Sequence, residues 1–153
     1  MKVLIVSDSH GDILKFYELM TKENPNVVFW TGDFSSDGEE CSFVYPEIPF
    51  YIVRGNCDMF DKNFNDNEII EIEGKKILLT HGHLFNVKNE KMTIEKYAET
   101  LGVDAVSFGH THIPYLKKEH GIVYFNPGAL RDENYGILNI YNNEMEFINK
   151  KLR

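Results

Sequence analysis

Val3-Leu4-Ile5-Val6-Ser7-Asp8-Ser9-His10 sets a four-residue apolar run almost directly against a carboxylate and an imidazole two positions apart. A continuous run of this length suits a β-strand covered on both faces. The same arrangement recurs: Val27–Trp30 leads into Gly32-Asp33, Phe50–Val53 into Gly55-Asn56-Cys57-Asp58, Ile77–Leu79 into His81-Gly82-His83, and Ala105–Phe108 into Gly109-His110-Thr111-His112. A sixth run, Ile122–Phe125, has no such motif immediately after it. From Asp8 the lead residues Asp33, Asn56, His81 and His110 follow at steps of 25, 23, 25 and 29, about one strand plus its return connection. This rhythm predicts strands stacked with their carboxyl ends on one edge, which is where open α/β sheets hold ligands.

Working outward, Ile13, Phe16, Tyr17 and Met20 fall at i, i+3, i+4 and i+7, the stripe of an amphipathic helix that must end before Pro25. With its flanking runs it reads as a βαβ unit. A second stripe, Ile94, Tyr97, Ala98 and Leu101, closes at Gly102 and feeds the run at Ala105. Glycine turns at Glu73-Gly74 and Glu119-His120-Gly121 predict hairpins, and Tyr135 to Ile148 alternates about Asn142-Asn143 as a third. The expectation is an α/β fold of mixed sheets with helices packed outside. No Gly/Ser linker or repeat divides the chain, so residues 1–153 are read as one domain.

The 153 residues are 42% hydrophobic and 26% charged, an ordinary globular composition. Sixteen Lys and Arg against 24 Asp and Glu leave a net charge of −8, with 15 acids and 7 bases up to Lys76 and 9 of each beyond it. That balance argues against stable nucleic-acid binding and against docking on an anionic membrane. The Val3–Val6 run is too short for a signal-peptide core, and no stretch is long enough to span a bilayer. Cys41 and Cys57 make no CxxC pattern or disulfide framework, so a reducing cytoplasm is expected. The 13% aromatic share leaves room for an apolar self-contact, a homo-oligomer.

Seven groups then converge on one edge: Asp8, His10, Asp33, Asn56, His81, His110 and His112. Pairs two residues apart, such as Asp8 with His10 or His110 with His112, leave an extended chain on the same side, so each pair can grip one ion. Carboxylate, imidazole and amide donors without a required thiolate suit Mn, Fe, Ni, Zn or Mg rather than a structural zinc site. The interleaved glycines Gly11, Gly32, Gly55, Gly82 and Gly109 allow sharp turns or close backbone approach.

The ordered series DxH, GD, GNxD, HGH, GHTH resembles the calcineurin-like metallophosphoesterase superfamily, and GNCD and THGH resemble its small single-domain bacterial and archaeal phosphodiesterase branch. Asn126-Pro127-Gly128 is similar to a further turn of that branch. The resemblance implies a four-layer αββα sandwich and two divalent metal ions per chain, with Mn²⁺ or Ni²⁺ favoured. It implies that Asp8, His10 and His112 hold the first metal and Asn56, His81 and His110 the second. Asp33 would bridge the two, and a hydroxide between them would attack a small phosphodiester. Coordination lowering the pKa of water from about 15.7 to about 7 favours hydroxide by about 12 kcal/mol. The resemblance also implies alternatives: a metal-free scaffold, as in a retromer subunit of the same fold with partly lost ligands, or a phosphomonoesterase. Many relatives carry histidine in a GNH motif as the acid for the leaving group; here the position is Cys57.

Asp33, Asn56, His81 and His83 are the candidate catalytic residues, and Arg54, Cys57 and Arg131 the candidate substrate contacts. His83 is open between facing the metals, touching substrate and hydrogen-bonding its loop. Arg54 and Arg131 either clamp phosphate or pair with one of the many acids. Asp58 either orients a ligand or forms a turn. The stretch Asp58 to Glu73 reads as a solvated loop and edge strand, Cys41 as packed along a helix, and His120 as an ordinary surface-turn histidine.

Overall fold

Alternation along the strands decides the layering. In the computed structural model, which describes residues 1–89 and 92–153, strand β1 (Lys2–Val6) sends Val3 and Ile5 to one side and Leu4 and Val6 to the other, and all four are fully buried. Both faces are therefore covered, as the uninterrupted apolar run requires. Strand β1 pairs in parallel with β2 (Val27–Trp30), and β2 with β3 (Phe50–Ile52). The C-terminal hairpin, β9 (Asn134–Tyr141) and β10 (Glu144–Lys151), adds antiparallel to β1, giving the order β10-β9-β1-β2-β3. Its turn residues Asn142 and Asn143 are both left-handed, as a tight hairpin demands.

The second sheet runs β4-β5-β6-β8-β7, from β4 (Asn67–Ile72), β5 (Lys75–Thr80), β6 (Ala105–Ser107), β7 (Tyr115–Glu119) and β8 (Ile122–Asn126). Its β5, β6 and β8 are parallel, with antiparallel β4 and β7 at the edges. Val3, Ile5, Val27 and Phe29 of the first sheet pack on Ile77, Leu79, Ala105 and Phe125 of the second, forming the central core. Outside the first sheet, Leu4, Val6, Val28 and Trp30 meet Phe16, Leu19 and Met20 of α1 (Ile13–Glu23) and Cys41 of α2 (Ser35–Val44). Outside the second, Leu78, Val106 and Phe108 meet Ile94 and Ala98 of α3 (Met92–Leu101). The result is an αββα sandwich of two mixed five-stranded sheets. The βαβ unit, the helix before Ala105, the three hairpins and the edge strand after Asp58 stand where the sequence places them. Helix α2 was legible only through Cys41.

Candidate metal centre

Each motif residue leaves the carboxyl end of a strand. Asp8, Asp33 and Asn56 follow β1, β2 and β3 of one sheet, while His81 and His110 follow β5 and β6 of the other. The stacked strand ends are thus shared between two facing sheets. The expectation of extended pairs needs correction: Asp8, His10, Asp33, His110 and His112 all have positive φ, between 38° and 68°. Asp and His tolerate this region better than most residues, and such strained positions cluster at functional sites. The chain turns at each one, so convergence arises from bent loops rather than from side chains two apart on one strand.

Two carboxylates form the centre, and each has one oxygen tied to the chain and one left over. Asp8 Oδ2 accepts the Ser7 hydroxyl at 2.5 Å and the His110 amide at 3.2 Å. Its Oδ1 has no hydrogen-bond partner and lies 3.1 Å from His112 Nε2, 3.7 Å from His81 Nε2 and 3.8 Å from His10 Nε2. Asp33 Oδ1 accepts the Cys57 amide at 3.0 Å. Its Oδ2 lies 3.4 Å from His81 Nε2 and 3.9 Å from His10 Nε2. Ligand atoms of Asp8, His10 and His112 fall within 4.8 Å of one another, as do those of Asp8, Asp33 and His81, and of His10, Asp33 and Cys57.

The donor set fits divalent ions. His81 Nδ1 donates to the Thr31 carbonyl at 2.8 Å, since a carbonyl can only accept, so Nε2 faces the carboxylates and carries the lone pair whenever the ring is neutral. His81 Nε2, His10 Nε2 and Asp8 Oδ1 are all buried without a hydrogen bond. Orphaned buried polar atoms are costly, about 1–3 kcal/mol each, and an ion shared among them removes that cost.

Charge is distributed unevenly. Burial raises the Asp8 carboxyl above its usual range, only partly opposed by His81 and Ser7. Burial pushes Asp33 the same way, but the adjacent His81 imidazole and the Cys57 amide outweigh it and hold Asp33 below the usual carboxylate range. Burial opposes protonation of His81, yet the two carboxylates overcome it and raise its pKa. Desolvation, His81 and Lys88 push His110 down to about 4.

The loops are held by polar residues that are not themselves candidate ligands. Asp58 accepts the amides of Asp33 (3.0 Å), Gly55 (2.7 Å) and Ser35 (3.0 Å), so it is at once a turn former and the anchor of Asp33. Asp37 of α2 accepts the Ser9 hydroxyl at 2.6 Å and the Gly11 amide at 2.9 Å. The buried Asn126 amide donates to the Gly109 carbonyl at 2.9 Å and Thr111 Oγ1 at 3.0 Å, fixing the His110–His112 loop. A Cβ at Gly55 would overlap the Asp33 carboxylate and one at Gly109 the Ser7 hydroxyl, so both glycines are there for close approach. Ser7, Thr31 and Asp37 escaped the sequence reading, because an isolated Ser, Thr or Asp carries no periodic signal.

The remaining candidates are placed as follows. His83 lies 5.5 Å from His81 and 6.2 Å from His110, ring centre to ring centre, and its Nδ1 is buried without a partner. Asn56 and Cys57 are exposed on the short turn after β3. Burial and the Asp33 carboxylate push the Cys57 thiol up to about 11, and Cys41 is buried. The Arg54 guanidinium is engaged by Asp66 at 2.7 Å and by the Asp61 carbonyl at 2.9 Å. Arg131 is exposed beside Asp132, and its amide reaches the Asp8 carbonyl at 3.4 Å. His120 sits exposed in the β7–β8 turn.

A paired-sheet sandwich with this carboxylate and histidine cluster defines a metallophosphoesterase class, and the calcineurin-like phosphoesterase superfamily domain matches residues 1–141. The chain belongs to that superfamily. It is 34% identical over 151 residues to the probable metallophosphoesterase YsnB of Bacillus subtilis, covering 93% of this chain and 86% of the relative. It is 26% identical over 153 residues to the phosphodiesterase YfcE of Escherichia coli, covering 85% and 79%. Its fold matches wild-type Vps29 of Entamoeba histolytica complexed with Zn²⁺ at a TM-score of 0.76, 22% identity and full coverage of both chains. Among the described residues no helix is long and apolar enough to cross a membrane.

Proposed function

We propose that this metal-dependent phosphoesterase is a dinuclear phosphodiesterase acting on small diesters in the cytoplasm. The observation that carries the reading is the ring of buried, unpartnered ligand atoms, Asp8 Oδ1, His10 Nε2 and His81 Nε2, closed around two carboxylates. Asp8, His10 and His112 would hold one ion, Asn56, His81 and His110 the other, and Asp33 would be shared. Two such ions, Mn²⁺ or Ni²⁺ by preference with Fe, Zn or Mg as alternatives, would supply a nucleophile from water at neutral pH and neutralise the phosphoester. They also answer the net charge of −8, which by itself repels an anionic substrate.

The chain's own residues do the positioning. Ser7 and the His110 amide hold Asp8 so that one oxygen faces the histidines, and Asp58 does the same for Asp33 through the backbone. Thr31 sets the tautomer of His81. In hydrolysis the water oxygen bonds to phosphorus, the bond to the ester oxygen breaks with its electron pair, and a proton ends on the leaving oxygen. With a thiol at position 57 and its pKa near 11, no strong acid stands ready there, so good leaving groups are favoured. YfcE is named a phosphodiesterase, which supports the diester over the monoester. The fold is shared with Vps29, so a protein-interaction scaffold is the competing reading. The complete set of seven ligand-type residues supports the enzyme over it.

The test is a panel of chromogenic mono- and diesters, run on chelator-stripped protein with each divalent metal added back, alongside elemental analysis. Metal-dependent diester cleavage with about two ions per chain is expected. Full hydrolysis by protein shown to lack metal would remove the mechanism.

A further inference from the structure

The loop that carries His110 and His112 also walls a separate cavity of ≈ 330 Å³, lined by Lys88, Thr111, Ile113 and Tyr115. Thr111 stands between the two histidines and its hydroxyl is held by Asn126, so cavity and candidate metal centre share one fixed wall. Ile113 is 67% exposed, an apolar side chain left open beside a polar centre. The Tyr115 ring packs edge-on to Phe108 at 6.0 Å, which fixes its position as part of the lining.

Lys88 supplies the charge. Around the same edge, Lys15 faces Asp12 at 2.8 Å, Arg54 faces Asp66, and Arg131 faces Asp132 at 3.8 Å. Lys88 is exposed and makes no ion pair with any described residue. A cation unpaired among the described residues of a chain of net charge −8, next to an exposed isoleucine and a tyrosine, calls for a ligand with an apolar ring joined to an anion. At ≈ 330 Å³ the cavity is more than twice the roughly 150 Å³ that takes a benzene, so an aromatic ring with its substituents fits.

We propose that this cavity receives the leaving arm of the phosphodiester and selects an aromatic ring there, with Ile113 and Tyr115 covering the ring and Lys88 offsetting the negative charge of the ester. The assignment rests on the phosphodiesterase reading above. It adds what that reading lacks, a contact that tells one diester from another. Selection of an aromatic arm also suits a site without a strong acid, since aryl oxygens leave more readily than alkyl oxygens.

Two readouts on the metal-loaded protein test it. The first is kcat/KM for two diesters whose leaving groups share one pKa, a phenol and a fluorinated alkyl alcohol. The second is calorimetric binding of phenylphosphonate and methylphosphonate, neither of which has an ester bond to cleave. Wild type is expected to favour the aryl member of each pair. Ile113→Asp is expected to lower the aryl-to-alkyl ratio about tenfold or more, and Lys88→Ala to weaken both phosphonates. Ile113→Ser serves as the milder variant, and Tyr141→Ser, at an exposed position on β9, should leave both readouts at wild type. Wild-type ratios and affinities in the Ile113 and Lys88 variants overturn the cavity assignment, as does an alkyl preference in wild type. If no diester is cleaved with any metal, the phosphodiesterase reading falls, yet phenylphosphonate binding that still depends on Ile113 and Lys88 keeps the cavity.

Discussion

At Asp33 one carboxylate oxygen accepts the Cys57 amide while the other faces His81 and His10 from 3.4 and 3.9 Å. A side chain so placed touches both halves of the cluster, whereas of the two carboxylates His112 meets Asp8 alone, at 3.1 Å. Asp33→Ala is therefore expected to lose both ions and to cost more turnover than His112→Ala, which should lose one ion first. Metal stoichiometry and rate, measured together in the two variants, decide this. Retention of both ions and a near-normal rate in Asp33→Ala would remove the bridge. The Cys57 sulfur lies within 4.8 Å of ligand atoms of His10 and Asp33, but its thiol, pushed up to about 11, is protonated at neutral pH. Cys57→Ala should keep both metals and most activity on an aryl diester, with rates falling steeply as leaving-group pKa rises. A collapse of every rate with metals and fold intact would give the thiol a chemical role.

Helix α2 shows where element-level reading stops. Its sequence, Ser35-Ser-Asp-Gly-Glu-Glu-Cys-Ser-Phe-Val44, has no apolar stripe, and the residues it buries, Ser35, Gly38 and Cys41, are small. It approaches the sheet so closely that a Cβ on Gly38 would stand 2.8 Å from the Trp30 ring. Trp30 is fully buried against Phe16, with ring centres 5.2 Å apart, and cannot yield freely. Gly38→Val is thus expected to destabilise the protein by about 1–3 kcal/mol through overpacking, read from urea unfolding midpoints. Unchanged stability would show that the helix shifts at no cost. By contrast α1 was legible from the stripe Ile13, Phe16, Tyr17 and Met20 and from Pro25 beyond its end; in the fold Phe16, Leu19 and Met20 are buried and Asn24 closes the helix in a left-handed cap.

Across the whole molecule, Glu23 joins the end of α1 to three strands. It is 6% exposed and accepts Tyr135 Oη at 2.7 Å and Lys150 Nζ at 2.6 Å, with Lys2 Nζ 3.5 Å away. Burial raises its pKa, but Lys150 and Tyr135 prevail and hold it below its ordinary value of 4.5. A lowered folded-state pKa means stability that is present above the unfolded value and is lost as pH falls below about 4.5 through the folded one. Glu23→Gln should cost about 1–3 kcal/mol at pH 7, with the gap to wild type narrowing at pH 3. An equal gap at both pH values would show that the charge on Glu23 does not matter. The order of elements, the strand ends bearing Asp, Asn and His, and the kind of ligand those groups hold were legible in the sequence, because period-2 and period-3.6 patterns and donor chemistry are local properties. The division of the five motifs between two facing sheets, the left-handed turns at Asp8 and His110, the Asp58 anchor of Asp33 and the cavity behind Thr111 were decided only by the tertiary structure. Each of these depends on contacts between residues more than 20 positions apart, or on a backbone turn made tolerable by such contacts, and no local pattern records them.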